Sequence, residues 1–211
     1  MVQYFTVGPS QLHPRYTFHY QQALEKHIGS ISHRSAAFRS IYQHTEEQLR
    51  ALLGFTQNHR IYFTPSATEI WERILMNLVE SQSFHFVNGS FSKRFFEFSG
   101  ALGKKNLTYE VEQGLGFEHP EQVELPEGTE LICTTQNETS SGIQMPVTDL
   151  VKLKAKHPTV LLVADIVSSA PYPELDFTRL DSAFFSVQKG FGMPPGLGVW
   201  ILNDACVAKA E

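Results

Sequence analysis

The sequence is poor in several features that would assign it to particular classes of protein. It has two cysteines, Cys133 and Cys206, which provide neither a disulfide framework nor a pattern of metal ligands. Basic residues form no run and the formal net charge is -5, so the chain lacks the electrostatic footprint of a nucleic-acid-binding protein. No segment approaches the roughly 20 apolar residues of a membrane span, and the N-terminus has no signal-peptide pattern. These absences predict a cytoplasmic protein with reduced thiols, no metal, no nucleic-acid partner and no membrane contact.

Internal repeats, low-complexity tracts and an obvious linker are also missing. Residues 1–34 have mixed polar and aromatic character, and Gly8-Pro9 and His13-Pro14 interrupt any periodicity there. We therefore expect residues 1–34 to form an N-terminal arm and loop, and residues 35–211 to form one domain.

What the sequence does contain is an alternation of strand and helix patterns. Two amphipathic helices are predicted, over 35–53 and 66–80, and further helical stretches after the strands predicted at 107–111 and 160–164. Short apolar runs predict strands at 61–63, 84–87, 107–111, 130–134, 160–164, 183–187 and 199–202.

This alternation indicates βαβ units, because parallel strands need a crossover connection to return to the same edge of a sheet. The predicted fold class is α/β, a three-layer αβα domain with a mainly parallel sheet. Ligands of such sheets gather at the carboxyl ends of the strands. After the strand at 199–202 the chain begins another helix and ends at Glu211, so we expect the domain to be incomplete at its C-terminus.

Three candidate site features follow predicted strands. The turn from Thr64 to Glu69 exposes backbone N–H groups at the start of a helix, which suits a phosphate, although Ser66 and Glu69 also form an ordinary capping box. Phe91 follows the strand at 84–87, where it could stack on a planar ring or simply belong to the core. Asp165 ends a fully apolar strand, where it is either a helix cap or a functional carboxylate.

A fourth feature is more specific. Lys189 follows the strand at 183–187 and lies in a stretch rich in glycine, which resembles a ligand loop more than a solvated surface. A partly desolvated lysine amine has a lowered pKa and becomes a nucleophile toward an aldehyde.

Together these residues resemble the class V branch of the fold-type I pyridoxal-phosphate (PLP) enzymes, and within it most closely the phosphoserine aminotransferases. Asp165 and Lys189, on successive strands, are the strongest element of the resemblance. Three further motifs resemble the family, at 5–10 (FTVGPS), 31–35 (ISHRS) and 137–139 (NET) with Gly142.

The resemblance implies a role for each of these residues. Lys189 binds PLP as a Schiff base and then acts as general base, and Asp165 pairs with the pyridine nitrogen. Thr139 bonds the phenolic side of the ring, and Phe91 stacks on it. The residues implied at or beside the cofactor phosphate are Ser66, Ala67, Thr68 and Gln188.

For the substrate, the resemblance implies Gly8, His33 and Arg34, the last two reaching across a homodimer interface to a substrate phosphate. Locally, the same pair is consistent with a polar turn before the helix at 35–53. Members of the family continue well past this length, into a small C-terminal domain that this chain lacks. We therefore expect the chain to be a piece of a longer protein.

The implied reaction is PLP-dependent transamination between amino-acid and keto-acid substrates. Phosphoserine aminotransferases convert glutamate and 3-phosphohydroxypyruvate into 2-oxoglutarate and phosphoserine, a step of serine biosynthesis. The alternatives are an alanine–glyoxylate or serine–pyruvate type aminotransferase, which has the same lysine and aspartate, and a non-catalytic domain. A nucleotide-binding α/β module is disfavoured because no G-x-G-x-x-G or G-x-x-x-x-G-K-[ST] motif occurs.

Overall fold

The centre of the molecule is a seven-stranded sheet in the computed structural model, which describes residues 3–211. Its strands, in chain order, are β1 His59–Thr64, β2 Gln82–Val87, β3 Lys105–Glu110, β4 Leu131–Thr135, β7 Leu161–Asp165, β8 Ser182–Ser186 and β9 Gly198–Asn203. A separate two-stranded ribbon is made of β5 Asn137–Glu138 and β6 Ile143–Gln144.

The strand order is β1-β9-β8-β7-β4-β2-β3. Strand β9 runs antiparallel to both of its neighbours, β1 and β8, while the other pairs of the sheet are parallel. The prediction of a mainly parallel sheet is confirmed. The exception has a local cause, because residues 187–197 join β8 to β9 without a crossover helix and so return the chain in the opposite direction.

Helices cover both faces of this sheet. Residues 3–211 contain six α-helices: α1 Tyr16–Glu25, α2 Ala36–Leu53, α3 Ala67–Leu78, α4 Ser90–Ala101, α5 Val147–Lys156 and α6 Asp204–Ala210. One apolar cluster joins the sheet to α3, α4 and α6, and the other joins it to α5 and the C-terminal end of α2. The predicted three-layer arrangement is therefore present.

Alternate residues of the buried strands supply the two clusters. In β7, Leu162 belongs to the cluster under α5 and Val163 to the cluster under α3, and both side chains are fully buried. Burying each such side chain stabilises the fold by about 1.5–3 kcal/mol. The packing of the core therefore fixes where the last residue of each strand lies and which way its side chain points.

Two predicted helices occur nearly where expected, and the serine before each caps its N-terminus. The Ser35 hydroxyl accepts from the Phe38 N–H (3.1 Å) at α2, and the Ser66 hydroxyl accepts from the Glu69 N–H (3.2 Å) at α3. Other expectations were wrong. Residues 16–25, predicted as arm or loop, form α1, although none of them is buried. Turns and a 3-10 helix at Pro120–Gln122 stand where helices were predicted after β3 and β7.

The amino-terminal edge of the sheet is joined by two carboxylates. Asp181, just before β8, accepts hydrogen bonds from the Leu162 N–H (2.8 Å) and the Asn203 side-chain amide (2.9 Å). Its carboxylate also lies 2.7 Å from the ammonium of Lys154 in α5. Asp181 therefore connects three strands and a helix through one buried side chain.

The second carboxylate of this edge is Glu130, just before β4. It accepts hydrogen bonds from the backbone N–H groups of Glu80, Ser81 and Gln82 and lies 2.9 Å from the Lys209 ammonium. Burial opposes its ionisation, but these donors outweigh burial and lower the pKa of Glu130 to about 2.

Within the part of the chain that the structure describes, no helix is long and apolar enough to cross a membrane.

Candidate cofactor site

A pocket of about 270 Å³ opens at the carboxyl-terminal edge of the sheet, as expected for parallel strands. Most of the predicted site residues line it: Gly8, Ser66, Ala67, Thr68, Phe91, Thr139, Asp165, Gln188 and Lys189. They come from the N-terminal segment, the start of α3, the start of α4, the β5–β6 ribbon and the ends of β7 and β8. The topology thus brings residues from six separate segments to one cavity.

Asp165 is the last residue of β7 and is 4% exposed. One carboxylate oxygen accepts from the Val167 N–H (2.9 Å) and the other accepts from the Trp71 indole N–H (3.2 Å). Burial raises the pKa of Asp165 to about 7, although these two donors and the nearby Lys189 act in the opposite direction. Ionisation of the Asp165 carboxylate in this pocket therefore costs free energy.

Lys189 lies in the loop after β8, and the N-terminal segment at residues 7–10 covers it. Its ammonium donates to the Val7 carbonyl (2.8 Å), and the Ser10 hydroxyl and N–H bond the carbonyls of Lys189 and Gln188 respectively. Gly8 lies against the amine, because a Cβ built on Gly8 would stand 2.2 Å from the lysine Nζ. The segment at 7–10 therefore sets the position of the amine, and glycine suits residue 8 because its φ of 155° is a conformation that other residues rarely adopt.

The turn between β1 and α3 forms another wall of the pocket. The Ala67 N–H donates to the Ser186 hydroxyl (3.2 Å), which ties the start of α3 to the end of β8. Ser66 both caps α3 and lines the pocket beside Thr68. The first N–H groups of the helix and its dipole point toward this wall, so an anion is favoured here. The capping and the anion-binding interpretations of Ser66 are compatible.

Glu138 holds the walls that carry Phe91 and Thr139. Its fully buried carboxylate accepts from the Ser92 N–H (2.8 Å) and from the Ser140 hydroxyl (2.7 Å). Burial raises its pKa, but these donors prevail and the pKa of Glu138 is lowered. Gly89 is required beside it, since a Cβ there would stand 2.4 Å from Glu138 Cγ. The ribbon and the start of α4 are thereby locked together.

Two polar atoms at the pocket have no hydrogen-bond partner among the described residues, the Thr135 hydroxyl and the Gln188 side-chain carbonyl. Such buried groups cost free energy unless something binds them. Across the pocket, the Asn137 amide donates to the Ser168 hydroxyl (2.8 Å), which donates back to the Asn137 carbonyl (2.9 Å). The pocket therefore combines a rigid frame with open hydrogen-bonding capacity.

His33 and Arg34 do not line this pocket. Both lie exposed in the turn before α2, where the Arg34 carbonyl accepts from the Arg39 guanidinium (2.7 Å). The single chain thus leaves them apart from the other site residues, and their substrate-binding role stays a prediction. Among residues 3–211 no group of three or more histidine, cysteine, aspartate or glutamate side chains could hold a metal ion.

Sequence reasoning missed several residues of the pocket. They are Trp71, Thr135, Val167, Ser168 and Ser186, while Pro9 and Asn137 lie in motifs that were noted in the sequence without a role being assigned to them. Trp71 falls within the amphipathic helix predicted over 66–80, whose apolar face we expected to belong to the core. A signal was present, because a buried indole N–H usually finds a hydrogen-bond partner and Trp71 is one turn from the predicted phosphate site.

Comparison with known proteins extends these observations. Residues 108–211 match the family described as Aminotransferase class-V. The crystal structure of a phosphoserine aminotransferase from Cytophaga hutchinsonii superposes with a TM-score of 0.96 at 51% identity, covering 99% of this chain and 57% of that chain. This chain belongs to the class V aminotransferases.

More distant class V relatives also match. A putative phosphoserine aminotransferase of Mycolicibacterium vanbaalenii is 26% identical over 98% of this chain and 54% of its own length. A serine–glyoxylate aminotransferase of Methylorubrum extorquens is 28% identical over 87% of this chain and 48% of its own length. The chain therefore spans about half the length of the curated relatives that it matches.

Proposed function

We propose that this class V aminotransferase chain carries the cofactor-binding part of a PLP-dependent enzyme of the phosphoserine aminotransferase type. The observation that carries the proposal is the sharing of one pocket by the Lys189 amine and the Asp165 carboxylate, which come from the ends of neighbouring strands. Similarity to the Cytophaga hutchinsonii phosphoserine aminotransferase supports it.

The residues present fit PLP. Asp165 is a buried carboxylate with no salt-bridge partner among the described residues, and burial raises its pKa to about 7; a protonated ring nitrogen would supply a compensating cation. The N-terminus of α3, with Ser66 and Thr68, suits the cofactor phosphate. The unpartnered Thr135 and Gln188 atoms offer further acceptors and a donor to a polar group in the pocket.

When bound, PLP supplies an electron sink for the carbanion formed at the substrate Cα. The chain supplies the rest. With the cofactor bound, the Lys189 amine would remove the Cα proton and deliver it to the carbon that was the cofactor's aldehyde carbon, which requires an amine that is deprotonated when it acts. Asp165, ionised and held by two donors, keeps the proton on the ring nitrogen. Phe91 and the N-terminal segment close the pocket sides and exclude water.

For substrates, we propose glutamate as amino donor and 3-phosphohydroxypyruvate as acceptor, giving 2-oxoglutarate and phosphoserine for serine biosynthesis. This proposal needs a cation for the substrate phosphate, and the exposed Arg34 is the candidate. We propose that Arg34 and His33 reach a partner subunit's pocket in a homodimer. The exposed apolar side chains of α1 and α2, among them Phe18, Phe38 and Ile41, support such pairing.

We further propose a cytoplasmic location. Both cysteines are free and buried, which is consistent with a reducing compartment. The relative from Methylorubrum extorquens favours a second candidate, an aminotransferase for unphosphorylated keto acids such as glyoxylate or pyruvate.

The cofactor is tested on the purified protein in its full natural length. We expect visible absorption that borohydride fixes covalently to Lys189, and its absence in Lys189→Ala. A colourless protein that takes up no added PLP would refute the proposal. Oligomeric state is measured by light scattering on the same sample.

The substrate is tested by comparing kcat/KM for 3-phosphohydroxypyruvate with that for hydroxypyruvate, pyruvate and glyoxylate. We expect a preference for the phosphorylated acceptor that Arg34→Lys reduces by roughly tenfold or more, because lysine cannot make the bidentate contact. Arg60→Lys, which changes an exposed arginine at the start of β1 in the same way, is the matched control. Equal turnover of phosphorylated and unphosphorylated acceptors would favour the second candidate.

A further inference from the structure

Trp71 contacts the acidic residue of the pocket from a different layer of the fold. It lies one turn into α3, on the helix that starts at the predicted phosphate site, and is 4% exposed. Its indole N–H donates to Asp165 Oδ2 (3.2 Å), and the indole also lines the pocket. One side chain therefore connects the anion-binding helix with the carboxylate at the end of β7.

Packing prevents the indole from turning away. Its ring stacks on Phe95 with a centroid distance of 5.5 Å and an interplanar angle of 14°, and Phe98 meets it edge-on at 5.6 Å. A buried indole N–H needs an acceptor, and Asp165 is the one that the structure provides. The aromatic cluster thus aims a fixed donor at one carboxylate oxygen.

The other oxygen of Asp165 is held by the Val167 N–H (2.9 Å). Two donors from different elements, one on each oxygen, define the plane in which the carboxylate lies. Each donor leaves an oxygen lone pair free for a group in the pocket. Without Trp71, Asp165 would be held on one side only and could rotate about its last side-chain bond.

We propose that Trp71 is a positioning residue that fixes the orientation of the Asp165 carboxylate and favours its ionised form toward the cofactor's ring nitrogen. This inference rests on the proposed function. The other charged groups that face Asp165 are the Lys189 amine, which favours the same ionised form, and the Glu138 carboxylate, which opposes it. Among the described residues neither of them hydrogen-bonds Asp165, whereas the indole donates to Oδ2.

The test uses Trp71→Phe in the full-length apoprotein, with Trp200→Phe as matched control. Trp200 is also buried and also donates its indole N–H, but to the neutral Ser182 hydroxyl (2.8 Å). The probe is deoxypyridoxine phosphate, which has the ring nitrogen and the phosphate but no aldehyde, so that Lys189 does not bond it covalently. Calorimetry should show binding that is about tenfold or more weaker in Trp71→Phe and unchanged in Trp200→Phe.

A double-mutant cycle separates positioning from general packing. In an Asp165→Asn background, adding Trp71→Phe should change probe binding less than twofold, because the charge on which Trp71 acts is gone. The pH below which probe binding weakens should also rise in Trp71→Phe, since a donor to the ionised carboxylate has been removed. Should Trp71→Phe not fold, Trp71→Met keeps a large, adaptable apolar side chain in the cluster and likewise has no hydrogen-bond donor.

Equal losses in Trp71→Phe and Trp200→Phe, or a Trp71→Phe loss that persists undiminished in Asp165→Asn, would overturn the inference. Either result leaves the proposed function intact as long as the wild-type protein binds PLP at Lys189. Conversely, a wild-type protein that binds neither PLP nor the probe would remove the proposed function and this inference together.

Discussion

At the amino-terminal edge of the sheet, Asp181 meets the Lys154 ammonium and two hydrogen-bond donors. At the carboxyl-terminal edge, Asp165 is equally buried but meets two N–H donors and, among the described residues, no salt-bridge partner. The pKa values of the carboxylates at the two edges also differ. The pKa of Glu130 at the first edge is lowered to about 2, whereas the pKa of Asp165 at the second is raised to about 7.

The difference shows which edge is structural and which is left ready for a ligand. Charges at the amino-terminal edge are fully compensated and connect neighbouring strands. The carboxyl-terminal edge retains an uncompensated acid and two unpartnered polar atoms, which destabilise the protein until a ligand binds. Substitutions at the two edges should therefore affect different quantities.

The largest expected effect is that of Lys189→Ala on turnover. Losing the general base should reduce kcat by about 10²–10⁴-fold, and losing the covalent link to the cofactor should reduce it further. Thermal unfolding of the apoprotein should change little, because the amine makes one hydrogen bond, to the Val7 carbonyl. A large loss of apoprotein stability in Lys189→Ala would contradict the assignment of a structural role to the amino-terminal edge and a ligand-binding role to the carboxyl-terminal edge.

At the opposite edge, Asp181→Ala should destabilise the protein by about 3–5 kcal/mol, because it removes two hydrogen bonds of a buried carboxylate and leaves the partly buried Lys154 ammonium with the Val160 carbonyl but no counter-charge. Urea unfolding measures this loss. The control is Asp149→Ala, which removes the more exposed pair with Lys152 (3.2 Å) and should cost less than about 1 kcal/mol. Similar costs for the two variants would show that the amino-terminal edge is not the structural one.

Asp165→Asn should stabilise the apoprotein while abolishing its use of the cofactor. The folded protein binds the Asp165 proton more tightly than the unfolded chain does, so this group lowers stability as pH rises from about 4 to about 7. The asparagine does not titrate, but it loses one of the two accepted hydrogen bonds. We expect a net gain of about 3 kcal/mol at about pH 8, from about three pKa units at roughly 1.4 kcal/mol each, less about 1 kcal/mol for the lost hydrogen bond.

The same gain should disappear near pH 4, where the aspartate is already protonated in the folded protein. Thermal unfolding across this range checks the prediction. An Asp165→Asn apoprotein less stable than wild type throughout would mean that the acid is compensated after all.

The smallest effect concerns Ser66, whose two interpretations can be separated. Ser66→Ala removes the cap of α3 and should cost about 1 kcal/mol of stability. Ser66→Asp keeps a capping oxygen and should retain stability, but its charge should repel an anion at the same helix end. Binding of inorganic phosphate or PLP that is unaffected by Ser66→Asp would place the phosphate elsewhere.

Much of the fold could be predicted because the strands are apolar runs with clear ends and the serines at 35 and 66 mark helix starts. Helix α4 could not, because its sequence is mostly phenylalanine, serine and glycine, which are weak helix formers, and Glu138 caps it from a distant segment. The antiparallel direction of β9 could not be predicted either, since the residue pattern of a strand carries no information on its direction.

The lining of the candidate pocket was predicted best where a residue lies at or just after the end of a strand, as Asp165 and Lys189 do. It was predicted worst where a residue reaches the pocket from the face of a helix. The pattern predicts Trp71 to be a core residue because its ring packs in the apolar core. Its link to the site is the indole N–H, which bonds Asp165. Residues such as Ser168, which act through a contact with a distant backbone group, leave no local pattern.

The pairing of β1 with β9 has a consequence for synthesis of the protein. Strand β1 is made first but bonds only β9, so Thr64 waits until Gly198 has been translated before its strand joins the sheet. Such non-local pairing slows folding and exposes apolar surface in the nascent chain. The ribosome therefore releases the turn that carries Ser66 well before that turn has a fixed place beside the last strand.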